Sequence, residues 1–149
     1  MIACEYEESL TRAEIACRDH LAKSLPFSVY RDANPDNPDC GVFNVGYIYT
    51  GDHQLFAASA YHFRATLELF CRDRTELQRT IMRIMRRYPQ NQDGELSGES
   101  NVLVFRIAPE TNAVSAVNRT DIQTERDGKP ILTYNATILF DVVFAARFD

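Results

Sequence analysis

Positions 132–148 carry an apolar or small residue at every even number: Leu132, Tyr134, Ala136, Ile138, Phe140, Val142, Phe144, Ala146 and Phe148. The odd positions begin polar, with Thr133, Asn135 and Thr137, and then mix through Leu139, Asp141, Val143, Ala145 and Arg147. Alternate side chains of a strand point to opposite faces, so the pattern predicts one long β-strand with two distinct faces. At roughly 3.3 Å per residue it would run about 55 Å, where a usual strand has about 5–6 residues. A small domain is hardly wide enough to cover that length. Either the strand bends or bulges partway, or one end projects as a hairpin arm that neighbouring subunits cover.

The length of 149 residues suits one domain, 1–149, with a single sizeable core. A net charge of −5 argues against a protein that coats nucleic acid through a basic surface. It is compatible with a surface past which DNA slides without sticking. No apolar run approaches the ~18 residues of a membrane span, so no membrane partner is expected. The first residues, Met1, Ile2, Ala3, Cys4, Glu5, Tyr6, Glu7 and Glu8, are acidic where a signal peptide is basic and then apolar. A cytoplasmic chain follows from that reading. Cys4, Cys17, Cys40 and Cys71 form no CxxC pair, which argues against zinc. They are expected as free thiols packed like small hydrophobes, with a stabilising bond between subunits of an extracellular particle as the alternative.

Residues 5–23 read as a helix with Leu10, Ala13, Cys17 and Leu21 on its apolar stripe, and Pro26 lies just past its end. Residues 27–30 read as a short strand. Residues 32–39, rich in Pro, Asn and Asp, read as a loop that lacks the glycine and closing glutamate of a calcium site. Residues 41–49 return to strand character, and 50–54 read as a loop. A second alternating run puts Tyr61, Phe63, Ala65, Leu67, Leu69 and Cys71 on one face and His62, Arg64, Thr66 and Glu68 on the other. Asp73 with Glu76 has the form of a capping box and opens a helix to about Arg87. Its apolar stripe is Leu77, Ile81, Ile84, Met85 and Tyr88, with Arg79, Arg83, Arg86 and Arg87 outward. Residues 90–101 read as a loop, 102–107 as a compact strand and 115–124 as a further strand. Asp127-Gly128 is a hairpin signal, and Pro130 then opens the last strand. The order α-β-β-β-α-β-β-β makes an α+β domain, a largely antiparallel sheet with two helices on one side.

No catalytic constellation stands out, so no enzyme and no cofactor or metal is expected. His20, His53 and His62 lie on a helix, in a loop and on the polar face of a strand, without zinc spacing or a triad pattern in their neighbourhoods. The arginine stripe has three readings: a solvated helix face, a contact with an acidic surface on a neighbouring copy, or a contact with DNA. Exposed salt bridges are each worth only ~0–1 kcal/mol, but a ring repeats them at every interface and gains register.

Taken together, the leading helix, the wet strand over Tyr61, His62, Phe63, Arg64, Ala65, Thr66, Leu67, Glu68 and Leu69, the capped helix, and the hairpin with its long terminal strand resemble the tail terminator proteins of tailed bacteriophages and tail-like particles. That resemblance implies a virion protein of the tail or neck, assembled in the host cytoplasm. It implies a hexameric ring that sits on the tail tube, halts its polymerisation and meets the head-side connector, with DNA passing through the hole. The implied partners are other copies of the chain, the tube protein, a connector or stopper protein, and the sheath protein of a contractile tail. The expected subunit contacts are the hairpin Arg126, Asp127, Gly128 and Lys129, and the stripe residues Arg79, Arg83 and Arg86. Two other readings stay open. One is a head-completion or stopper protein of the neck. The other is a small dimeric α+β enzyme or ligand-binding domain, which needs a pocket where groups such as His62, Arg64 and Glu68 converge.

Overall fold

The computed structural model describes residues 2–26, 28–30, 38–55, 58–90, 101–123 and 130–147. Its elements follow the expected order: α1 (Ile2–Ala22), β1 (Val29–Tyr30), β2 (Cys40–Leu55), β3 (Ala58–Cys71), α2 (Arg74–Arg87), β4 (Val102–Ile107), β5 (Asn118–Gln123) and β6 (Pro130–Arg147). The six strands form one sheet in the order β1-β2-β3-β6-β4, with β5 paired to β6 off that path. Among the described residues only the short β1–β2 pair is parallel. This is the α+β architecture that the residue pattern predicts.

The long last strand is real, and it is the axis of the sheet. Along one side it pairs with β3 in an unbroken register from Ala58↔Arg147 to Cys71↔Tyr134. Along the other side it meets three segments in turn. Phe140 to Phe144 pair with β4, Ile138 bridges Val114, and Pro130 to Asn135 pair with β5. Backbone bonds knit the middle: Ala108 N donates to Leu139 O, Leu139 N to Ala113 O, and Ser115 N to Thr137 O. The strand does not bulge against β3. Instead residues 130–133 run past the end of β3 and pair with β5 alone, which makes a two-stranded ribbon. The residues Arg126, Asp127, Gly128 and Lys129 at the turn of that hairpin lie outside the described residues.

The even positions of β6 face the helices as the alternation demands. Ala136, Ile138, Phe140, Val142 and Phe144 are buried together with Phe63, Ala65, Leu67 and Leu69 of β3. Ala13, Cys17 and Leu21 of α1 and Leu77, Ile81 and Ile84 of α2 complete the same core, so both helices cover one face. Aromatic rings fill its centre: Phe105 lies 4.8 Å from Tyr88 and 4.9 Å from Phe140, centroid to centroid. Offset and edge contacts of this kind add to the gain from area burial alone.

Five expectations need correction. The loop expected over residues 50–54 is strand: β2 runs on to Leu55, absorbing its turn-prone residues in register shifts between Val45 and Ile48 and between Tyr49 and His53. Extra residues in one strand of an antiparallel pair are accommodated as bulges without ending the ladder. The strand expected from residue 27 is confined to Val29 and Tyr30 among the described residues. The strand expected from residue 115 begins at Asn118, because Val114 and Ser115 already reach β6 through single bonds. Met85 is 44% exposed, and Thr80 takes its place in the buried stripe, its hydroxyl satisfied by Glu76 O at 2.9 Å. Leu132 is exposed while Thr133 is buried, the reverse of what the apolar alternation predicts at this end of β6.

Candidate functional site

Helix α2 begins where Asp73 accepts hydrogen bonds from Thr75 N and Glu76 N, which satisfies donors that a bare helix start leaves open. Its inner side is fixed by Leu77, Thr80, Ile81 and Ile84 and by the cap residue Tyr88, all buried. The remaining side points away from the sheet and holds Arg79, Arg83, Arg86 and Arg87, all exposed. Arg86 and Arg87 stand in the last turn, where a cation suits the helix dipole. The stripe divides in two. Arg83 donates to Ser24 O at 3.3 Å and Arg87 to Ser24 Oγ, so these two tie α2 to the end of α1. Arg79 and Arg86 make no hydrogen bond or ion pair among the described residues. Between them lies Met82, 63% exposed, in a shallow depression lined also by Thr75, Gln78 and Arg83.

The seam between the helices is completed by His20 and Tyr88, whose ring nitrogen and hydroxyl share a hydrogen bond. Burial, and then the charges of Arg87 and Lys23, hold the His20 pKa below its usual value, so the imidazole there is neutral at pH 7. Burial raises the Tyr88 hydroxyl. These shifts describe a packed joint between two helices.

The uncovered face of the sheet carries a second polar arrangement. Asp141 sits in β6 with Arg64 of β3 and Arg106 of β4 directly opposite it on either side. Its Oδ1 lies 3.1 Å from Arg64 Nε and 3.1 Å from His62 Nε2. Arg64 also pairs with Glu110, just beyond β4. Burial alone would raise the Glu110 pKa, but backbone and Arg64 hydrogen bonds outweigh it and hold the carboxyl below its usual value. Of the three groups proposed to converge, His62 and Arg64 do meet, but on Asp141. Glu68 stands four residues further along β3, opposite Thr137, roughly 13 Å away. Asp141 is only 6% exposed, and its carboxylate faces the side chains of Arg64 and His62. The one signal for it in the sequence was a lone acid inside an apolar run; its partners come from strands distant in the chain.

At the rim, Asp39 accepts from Arg72 N at 2.8 Å, Nε at 3.0 Å and Nη2 at 2.6 Å. Burial alone would raise the Asp39 pKa, but the Arg72 bonds and charge together bring it below its usual value. Cys17, Cys40 and Cys71 are free and buried. Burial raises all three thiols, Cys40 to about 11, which removes the thiolate that exchange chemistry needs.

No protein-family model matches the chain, and no curated protein is similar to it in sequence. Among solved structures, the chain is similar to one from the virion of a native gene transfer agent particle. The likeness has a TM-score of 0.50 and 9% sequence identity, and covers 93% of this chain and 98% of that one. At that identity it is a likeness of fold, over most of the length of both chains.

Proposed function

We propose that this chain is a structural virion protein of a phage-like particle, a tail terminator whose copies close into a hexameric ring on the tail tube. In that role it stops tube polymerisation, meets the head-side connector and lets DNA pass through its centre. The observation that carries the reading is the end-to-end likeness of fold to a chain of a gene transfer agent virion. Two features of this chain support it. The β5–β6 ribbon runs past the body of the sheet, and neighbouring copies would cover it. The net charge of −5 suits a hole that must not hold DNA. Arg79, Arg83 and Arg86, and the segment 126–129 that joins the ribbon strands, are the contacts we assign to the ring.

Native mass spectrometry and electron microscopy of the purified protein test the reading. A six-subunit ring that binds tail tubes is expected. A chain that stays monomeric at high concentration and never co-purifies with tubes overturns it. A ring that binds the connector and ignores the tube makes the protein a neck stopper instead.

A further inference from the structure

We infer that the joint between α1 and the end of α2 is an acid-released latch with His20 as its sensor: the neutral ring holds α1 down, and a charged ring lets that end of α1 lift. This holds whether the chain works alone or in a ring. Tyr88 is the fixed side of the joint. It caps α2, its N–H donating to Ile84 O at 2.8 Å, and its carbonyl accepts from Ile107 N of β4 at 3.1 Å. Its ring is fully buried against Phe105 and Phe140. His20, half-buried on α1, is the moving side. Its Nδ1 shares a hydrogen bond with the Tyr88 hydroxyl, and the two rings meet edge to face with centroids 5.6 Å apart.

Two features make the joint sensitive, and the first is charge. The charges that bear on His20 are both positive, Lys23 further along α1 and Arg87 on α2. Arg87 also donates to Ser24 Oγ and Arg83 to Ser24 O, so two arginines are anchored at this end of α1. Asp19, the acid next to His20 in the chain, is turned to Arg18 at 3.3 Å. Glu76, the acid of α2, stands about 18 Å from Tyr88 along the helix. Burial keeps the thiol of Cys17, one turn back on α1, neutral. Towards the sheet the joint meets Phe105 and Phe140, which carry no charge. A proton on His20 therefore puts a third cation into a part-buried place. The second feature is packing. Helix α1 is held by the buried Ala13, Cys17 and Leu21, two of them small, whereas α2 is held by Leu77, Ile81, Ile84 and Tyr88. Apolar burial stabilises in proportion to area, so α1 is the more lightly anchored helix, and local opening begins at such elements.

The folded chain resists protonation of this ring. The closed joint is therefore at full strength above the ordinary imidazole pKa of 6.5 and weakens as pH falls through that value towards the lower folded one. Opening uncovers Cys17, which is fully buried when the joint is closed. The experiment is labelling of Cys17 by a dipyridyl disulfide, which reacts with thiols in mild acid, read by mass spectrometry of its peptide. Wild type is compared with His20→Gln, which keeps a hydrogen-bonding group that takes no charge. The ratio of the wild-type rate to the variant rate should rise severalfold between about pH 7.5 and about pH 5. A ratio that does not change with pH overturns the latch. Lys23→Glu, at an exposed position, tests it without touching the hydrogen bond between the rings, and stands should His20→Gln fail to fold. A carboxylate there should cut the acid response to about half or less, and an unchanged response overturns the latch. Either result leaves the terminator reading where it stands.

Discussion

Phe140 and Asp141 are neighbours in β6 and point to opposite sides of the sheet. Phe140 lies fully buried under the helices, its ring against those of Phe105, Phe43 and Tyr88. Asp141 is nearly as buried, at 6%, on the side that α1 and α2 do not cover. Its cover includes the side chains that bind it, Arg64 and His62. Apolar burial has no preferred direction, so the first side accepts any arrangement that fills space. Ion pairing is directional and depends on facing residues. Sliding β6 by one position would take Asp141 from between its arginines to the other face. One side of the strand supplies most of the stability, and the other helps fix which residues stand opposite one another.

The sharpest way to break this contrast is Phe140→Ala. It leaves a void among three rings and should lower the unfolding free energy by about 3–5 kcal/mol in urea titration. Asp141→Asn keeps the shape and removes the charge, which leaves Arg64 without its buried partner. A loss of about 1–3 kcal/mol is expected, short of that for Phe140→Ala. Equal losses would erase the distinction between the faces. Asp73→Ala removes the cap of the helix that covers the apolar side and should lower stability by about 1 kcal/mol, seen as a modest fall in melting temperature. The smallest effect belongs to the exposed rim. Arg72→Ala should cost at most about 1 kcal/mol. The pH dependence identifies that pair. The folded Asp39 pKa lies below its ordinary 3.8, so the contribution is full above that value and fades as pH falls through the folded pKa. In Arg72→Ala this acid-side loss should shrink, as acid titration followed by circular dichroism would measure.

Much of the covered side was legible before any coordinates. Leu10, Ala13, Cys17 and Leu21 repeat at helical spacing, and the even residues from Tyr134 to Phe144 alternate, because local periodicity records which way a side chain faces. Asp73 announced the start of α2 through a single capping pattern. The uncovered side was not legible in the same way. Nothing near Asp141 in the chain says that Arg64 will reach it or that Arg106 will stand opposite it, since that is decided by the register of strands dozens of residues apart. The bulges of β2 have no local signature for a related reason. Gly51 and Asp52 favour a turn locally, but they fall in the register shift between Tyr49 and His53, after which the ladder with β3 resumes. Within α2, Met85 and Thr80 sit near the margin of the buried stripe, and packing decided between them. The division of the arginines, two tied to Ser24 and two left outward, likewise depended on where α1 ends.

The unbroken pairing of β6 with β3 also has a mechanical consequence. A single backbone of 18 residues, roughly 60 Å when extended, runs from the ribbon to the edge of the sheet where Asn101 clasps both Ala145 and the α1 backbone at Ser9. The ladder to β3 has no irregular point where it could buckle. A pull or push on the ribbon is therefore delivered along a stiff rod to the far end of the subunit, which moves with it as one body.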